Sequence, residues 1–269
     1  MTVIDPQACA LLLRAATDQI ASATIRPAPD QDIGSLIDWL RNTSAAAAAV
    51  MRSALAERYP GIGWVDEEGR PEASDEPCWV YDPIDGAYHF VQGLPLWSGS
   101  LALVQDGRTA FAMVYDPTLR ELFAAQEGAG ATLNGRTLTS HPKSRLNTAV
   151  LGTAVAPFTQ ARAPQHERAL ALLDAISRKV FVVRQMASAS LQLAYVAAGR
   201  LDGYWETGQD LSDWLAGALL VRAAGGDVTD LNGDALNWNA DGILAASKPL
   251  HAALLLAAAG AARQPLAMG

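Results

Sequence analysis

The sequence predicts an α/β protein, and three observations carry that prediction. After about residue 148, short apolar runs alternate with helical stretches, the order that layers helices on a sheet. Between 61 and 115, apolar runs are each bounded by Gly, Pro or Asp, the punctuation of strands. Hydrophobic residues make up 50% of the 269 and charged residues 18%, enough for a large core and far from a disordered composition.

The chain opens on a helix. Asp5 is placed to cap it and Pro6 to start it, and Leu11, Leu12 and Ala15 continue one apolar face. A second, Ala-rich helix is expected over 35–58, ending before Pro60-Gly61; its run 45–49 is strong helix former with no chemistry of its own. Strands are expected at 78–81, 100–104 and 109–115. Leu133-Asn134-Gly135-Arg136 signals a hairpin, because Asn-Gly supplies the positive φ of a type I′ turn. The second half reads strand 148–153, helix 164–177, strand 179–184, helix 187–198, strand 201–206 and helix 211–224, stopped at Gly225-Gly226. Strands near 227–229 and 243–245 lead to a last helix from about 248. No repeat or low-complexity linker divides the chain. Two subdomains, 1–145 and 146–269, are expected, with their seam in the segment 133–148.

Composition excludes several classes. Lys and Arg number 20 against 28 Asp and Glu, a formal net charge of −8 with a pI near 4.9, whereas a nucleic-acid scaffold needs a basic stripe. No apolar run reaches the roughly 18 residues of a membrane span. The first residues carry no basic stretch before their short apolar run, so they read as a helix and not as a signal peptide. Two cysteines, Cys9 and Cys78, cannot form a disulfide framework for a chain this long. The expectation is a soluble cytoplasmic protein that partners neither nucleic acid nor membrane.

The most informative stretch is Tyr81-Asp82-Pro83-Ile84-Asp85-Gly86, which follows directly on an apolar strand. Pro83 pushes Asp82 toward extended backbone and Gly86 permits a sharp turn. Two carboxylates three residues apart on a stiffened turn can converge on one point, where a divalent cation would remove their repulsion. All-oxygen ligation points to a hard ion, Mg²⁺ before Mn²⁺ or Ca²⁺. Asp-Gly and Asp-Pro are also ordinary turn dipeptides. Two other acidic places could complete a site. Glu67-Glu68 follows the apolar run 62–65, and Asp213 lies near the start of the helix at 211–224, where Asp210 or Ser212 could be a plain cap.

These residues resemble the inositol monophosphatase family of Mg²⁺-dependent, lithium-sensitive phosphatases. The family signature Asp-Pro-Ile-Asp-Gly-Thr is matched by Asp82-Pro83-Ile84-Asp85-Gly86 and broken at Ala87, and it continues in Phe90, Gly93 and Pro95. Asp66-Glu67-Glu68 is similar to the Gly-Glu-Glu motif. Ser212-Asp213-Trp214-Leu215-Ala216-Gly217 with Ala223-Ala224-Gly225-Gly226 is similar to the second signature, Trp-Asp-x-x-Ala-Gly followed by Glu-Ala-Gly-Gly. Arg184, Ser188-Ala189 and Tyr204-Trp205-Glu206 also fall at family spacing. The resemblance implies a layered αβαβα sandwich of the inositol monophosphatase and fructose-1,6-bisphosphatase type. It implies that Glu67, Asp82, the carbonyl of Ile84, Asp85 and Asp213 hold two or three Mg²⁺ ions, with Glu67, Asp82 and Asp85 catalytic. Gly86 and Ala87 would cradle the phosphate through backbone N–H groups, Glu206 would grip a substrate hydroxyl, and Arg184, Ser188, Ala189 and Asp213 would complete the substrate wall. The implied activity is in-line hydrolysis of a small phosphomonoester such as inositol 1-phosphate by a metal-bound water, in a homodimer. Relatives with this fold prefer histidinol phosphate, 3′-phosphoadenosine 5′-phosphate, fructose 1,6-bisphosphate or NADP.

Two departures fall on the machinery that activates water. The family threonine after Asp-Gly is Ala87 here, and the upstream aspartate that partners it is replaced by Ser44, counting back without gaps from Tyr59-Pro60. Proton transfer of that kind contributes typically 10²–10⁴-fold. Either a slow enzyme or a metal- or phosphate-binding regulatory protein is expected, with Ser44 or Asp38 as possible stand-ins. His89 is expected beside substrate or solvent; His141, His166 and His251 in loops or on helix surfaces. Trp79, Trp97, Trp205 and Trp214 are expected in or near the core, and Cys78 as a small buried hydrophobe.

Overall fold

Two helices lead into the first sheet. In the computed structural model, which describes residues 3–22, 32–65, 76–139, 143–156 and 163–261, α1 (Pro6–Ser22) starts where Pro6 predicts. Asp5 Oδ1 caps it, accepting from the N–H of Gln7 at 2.9 Å and of Ala8 at 3.2 Å. α2 (Ile33–Arg58) starts two residues before the expected helix, because Asp32 accepts from Ser35 N–H and supplies the cap.

Seven strands then form one sheet in chain order. They are β1 (Gly63–Trp64), β2 (Cys78–Asp85), β3 (Ser98–Gln105), β4 (Arg108–Asp116), β5 (Glu121–Gln126), β6 (Gly130–Leu133) and β7 (Arg136–Leu138), with α3 (Ala87–Gln92) between β2 and β3. Only β1 and β2 are parallel; the rest is an antiparallel meander. The Asn-Gly hairpin is present: Leu133 pairs with Arg136, and Asn134 and Gly135 both take positive φ, 48° and 80°. The first sheet therefore runs on to Leu138, into the segment expected to be a seam. β1 and β5 are additions to the reading, β1 because it is only two residues long and β5 because its run mixes charge with alanine.

The second sheet has the order β11-β12-β10-β8-β9. It comprises β8 (Val150–Ala154), β9 (Val182–Gln185), β10 (Gly203–Thr207), β11 (Gly226–Thr229) and β12 (Gly242–Ser247). β8 runs parallel to β9 and β10, and β12 antiparallel to β10 and β11. α4 (Ala163–Ser177), α5 (Ala189–Ala197), α6 (Leu211–Ala223) and α7 (Lys248–Ala261) connect or follow these strands.

Alternation along the strands sorts the helices into layers. Trp79, Tyr81, Leu101, Leu103, Phe111 and Met113 face α1 and α2. Val80, Ala102, Val104, Ala112 and Val114, on the opposite face, meet α5 and α6, which also cover Tyr204, Ile243 and Ala245 of the second sheet. Leu151, Trp205, Leu244 and Ala246 then pack on α4 and α7. The result is the expected αβαβα sandwich. α6 is apolar almost all round because it is buried on both sides. Gly217 lets α5 approach it; a Cβ there would meet side-chain atoms of Leu193. No helix among the described residues is long and apolar enough to cross a membrane.

Candidate active site

The site begins with a β-bulge. Asp82 pairs with Ser100 and Asp85 with Ser98, so three steps along β2 match two along β3. In a regular strand, residues three apart point to opposite faces. The extra residue restores the phase, and both aspartates face a cleft at the middle layer while Ile84 packs between them toward α2. The spacing of the hexapeptide is thus what a bulged strand needs to converge two carboxylates.

Gly86 turns the chain from β2 into α3 with φ +89°. A Cβ at this position would stand 3.0 Å from both the Leu96 carbonyl and the Ser188 Cβ, so glycine is required for conformation and for space. The cleft, about 540 Å³, is lined by Asp82, Ile84, Asp85, Gly86, Ala87, Ser188, Ala189, Glu206 and Asp213, together with Tyr88, His89, Gln185 and Met186. Asp82 and Asp213 also border an adjoining hollow of about 820 Å³ beside the alanine face of α2 and Arg52.

Each acidic group is held differently. Asp82 Oδ1 accepts from Ile84 N–H at 2.9 Å, which folds the carboxylate back on its own bulge. Asp85 is buried and receives Ser188 Oγ–H (2.9 Å), Ser190 N–H (2.7 Å) and Ser190 Oγ–H on Oδ2, and Ala189 N–H (3.2 Å) on Oδ1. Burial pushes the Asp85 carboxyl up and these donors pull it back. Asp213 sits in the first turn of α6, and its carboxyl is pushed well above the usual range, first by burial and then by the charges of Asp82, Asp85, Asp210 and Glu206. Asp210 is the cap residue of α6 but makes no side-chain capping bond.

Glu206, on β10, accepts through Oε2 from Tyr204 O–H at 2.5 Å and Trp214 Nε1–H at 2.8 Å, and lines the cleft. Burial raises its carboxyl to about 7, against the two hydrogen bonds. Trp214 is buried as expected, yet its indole also orients this carboxylate.

The side of the site next to α2 is apolar. Ala87 and Phe90 pack against the same apolar cluster as Leu36, Trp39 and Ala47 of α2, a cluster that includes Leu40, Ile84, Val91 and Trp97, and Trp39 stacks on Phe90 with 6.0 Å between ring centroids. The helical spacing 40, 44, 47 puts Ser44 on this face of α2. Asp38 is turned away: its side chain is 73% exposed, 3.8 Å from Arg41, so it does not stand in for the missing aspartate. Arg184 is exposed on β9 and outside the cleft lining, where its neighbour Gln185 stands instead. Glu67 and Glu68 lie outside the described residues, as does His141. His89 lines the cleft with Nδ1 2.9 Å from the Leu96 carbonyl. His251 corrects the expectation of a surface histidine: it is buried, with Nε2 3.1 Å from Thr229 Oγ1. Cys78 is only partly buried, at the edge of the middle core.

The donor chemistry fits a hard divalent cation. Asp82, Asp85 and Asp213 are three carboxylates on one cleft whose described lining holds no Lys or Arg, and their mutual repulsion is visible at Asp213. Among the described residues, no three acidic, histidine or cysteine side chains close around an ion on their own.

The fold, the bulged aspartate pair and the acidic α6 terminus place the chain in a known group. It belongs to the inositol monophosphatase family, whose model matches residues 7–264. It is 35% identical over 222 residues to an inositol-1-monophosphatase of Mesorhizobium japonicum, covering 82% of each chain. It is 38% identical over 223 residues to the Nus factor SuhB of Escherichia coli K12, again covering 82% of each. The inositol monophosphatase structure from Anabaena sp. PCC 7120 superposes with a TM-score of 0.80 at 28% identity, over 94% of both chains. The family is generally Mg²⁺-dependent.

Proposed function

We propose that this chain is a Mg²⁺-dependent phosphomonoesterase acting on a small phosphorylated alcohol, with inositol 1-phosphate as the first substrate to test. The observation that carries the reading is the convergence of Asp82, Asp85 and Asp213 on one cleft that also presents Glu206. These three aspartates, the Ile84 carbonyl and Glu67 would hold the metal. Bound Mg²⁺ would neutralise phosphate charge and acidify the attacking water.

The chain's own groups do the rest. Gly86 and Ala87 keep their backbone N–H groups whatever the side chain at 87, so the phosphate can still be received at the turn. Glu206, fixed through Oε2 by Tyr204 and Trp214, offers Oε1 to a hydroxyl of the alcohol. Ala189 and Ser188 bound the same wall. Water activation lacks its side-chain acceptor at 87, because alanine carries no hydroxyl and one side of the position joins an apolar cluster. Slow turnover follows, since such an acceptor is worth typically 10²–10⁴-fold. Other phosphate esters known for this fold, histidinol phosphate, 3′-phosphoadenosine 5′-phosphate, fructose 1,6-bisphosphate and NADP, are the alternatives within the reading. A cytoplasmic homodimer belongs to the same proposal and rests on the family alone.

The apolar replacement at Ala87 and the relatives named Nus factor SuhB favour a second reading, a regulatory protein that retains metal or phosphate binding. Phosphate release over a panel of these esters, with and without Mg²⁺ and beside Asp82→Asn, separates the two. Mg²⁺-dependent release that Asp82→Asn lowers by at least about a hundredfold is expected, a loss at the upper end of what even outer-shell partners cost. Release from no ester, with Mg²⁺ binding retained, would support the regulatory reading.

A further inference from the structure

Asp85 is bonded unevenly. Among the described residues, its Oδ2 accepts three donors, Ser188 Oγ–H, Ser190 N–H and Ser190 Oγ–H, while Oδ1 accepts only the longer bond from Ala189 N–H. A carboxylate offers about two lone-pair directions per oxygen, so Oδ2 is fully used and Oδ1 keeps capacity. The donors are themselves locked. Ser98, Ser188 and Ser190 are buried, at 0%, 3% and 0% exposure. An ionised carboxylate only accepts, so the Ser188 proton points at Asp85, and Ser98, 3.0 Å away, must donate its own proton to Ser188 Oγ. The relay Ser98–Ser188–Asp85 therefore runs one way, from β3 through the start of α5 to the end of β2.

Ser190 contributes most to this asymmetry. It is the one residue that places both its backbone and side-chain donors on the same oxygen, and its hydroxyl makes no other hydrogen bond to the described residues. Removing that hydroxyl would leave Oδ2 with two donors and let the carboxylate rotate, exchanging which oxygen faces the cleft.

We propose that Ser190 is a positioning residue that turns Asp85 Oδ1 toward the metal, so that its hydroxyl sets Mg²⁺ affinity without touching metal or substrate. This deepens the phosphatase reading and rests on Asp85 being a metal ligand.

Calorimetric Mg²⁺ titration of wild type, Asp82→Asn, Ser190→Ala and the near-isosteric Ser190→Cys, with melting curves of each, tests it. Ser190→Ala should weaken Mg²⁺ binding about tenfold, as loss of an outer-shell partner typically does, with Ser190→Cys close behind because a thiol is a weak donor. At saturating Mg²⁺, kcat should return to near the wild-type value, which a general packing defect would not allow. If Ala fails to fold, the Cys variant carries the comparison. Asp82→Asn losing Mg²⁺ while both Ser190 variants bind as wild type overturns the positioning role alone. Wild type that binds no Mg²⁺ overturns it together with the reading beneath it.

Discussion

The two sides of Gly86 meet opposite environments. Before it, Asp85 is buried among hydroxyl and backbone donors from Ser188, Ala189 and Ser190. After it, Ala87 packs against the apolar cluster that contains Leu40, Ile84 and Trp97. Two residues apart in sequence, one position retains a costly buried charge and the other has given up its polar group. An unpaired buried carboxylate costs several kcal/mol unless it is paired or ligated, whereas an alanine in an apolar cluster costs nothing. On the proposed reading, metal binding and water activation would be separable: the β2 bulge and α5 would serve the first, the contact between α2 and α3 the second.

The largest expected effect comes from the hinge between the two sides. Gly86→Ala must accept φ +89° and a Cβ 3.0 Å from the Leu96 carbonyl, a backbone neighbour that cannot swing away. Destabilisation of roughly 1–3 kcal/mol is expected. Phosphate release should fall about a hundredfold, because small displacements of reacting groups cost that much. A variant with wild-type melting and activity would mean that the turn is looser than its contacts imply.

A smaller effect sharpens the polar side. Glu206 has its folded value raised from 4.5 to about 7, so the metal-free folded chain holds a proton there that the unfolded chain has released. Its contribution to stability is complete below about pH 4.5 and is lost as pH rises through about 7. The melting temperature of the metal-free protein should therefore fall between pH 5 and 8, by a few degrees. Asp213, shifted in the same direction, adds to the slope. Glu206→Gln should flatten part of that fall while leaving the acid end unchanged. An unchanged slope in the variant would remove Glu206 from the account.

The sequence carried the carboxylates and the layer order well, for a physical reason. Asp82, Asp85 and Asp213 sit at ends of apolar elements, where composition changes abruptly along the chain, Glu206 came through the family resemblance, and the strands and helices of the second half alternate in a period that can be counted. The serines left no such trace. Ser190 bonds Asp85 across 105 positions, and Ser98 bonds Ser188, which bonds Asp85, through a strand end and a helix start that only the folded topology brings together. Trp214 reads as core because it is core; its indole N–H on Glu206, like the Tyr204 hydroxyl beside it, is invisible to a hydrophobicity pattern. Arg184 shows the opposite failure. Family spacing pointed to it, but strand alternation turns Gln185 to the cleft. Ser44 was found only by counting back to a missing aspartate.

The separability of the two sides is tested most directly by restoring the lost pair in the double variant Ser44→Asp with Ala87→Thr. Phosphate release would be followed against Mg²⁺ concentration for wild type and variant. The account predicts unchanged half-saturation by Mg²⁺ and a kcat higher by roughly tenfold or more, within the range of general base catalysis. A kcat that stays level while wild type already turns over rapidly with Mg²⁺ would contradict it, because the water would then be activated without that pair.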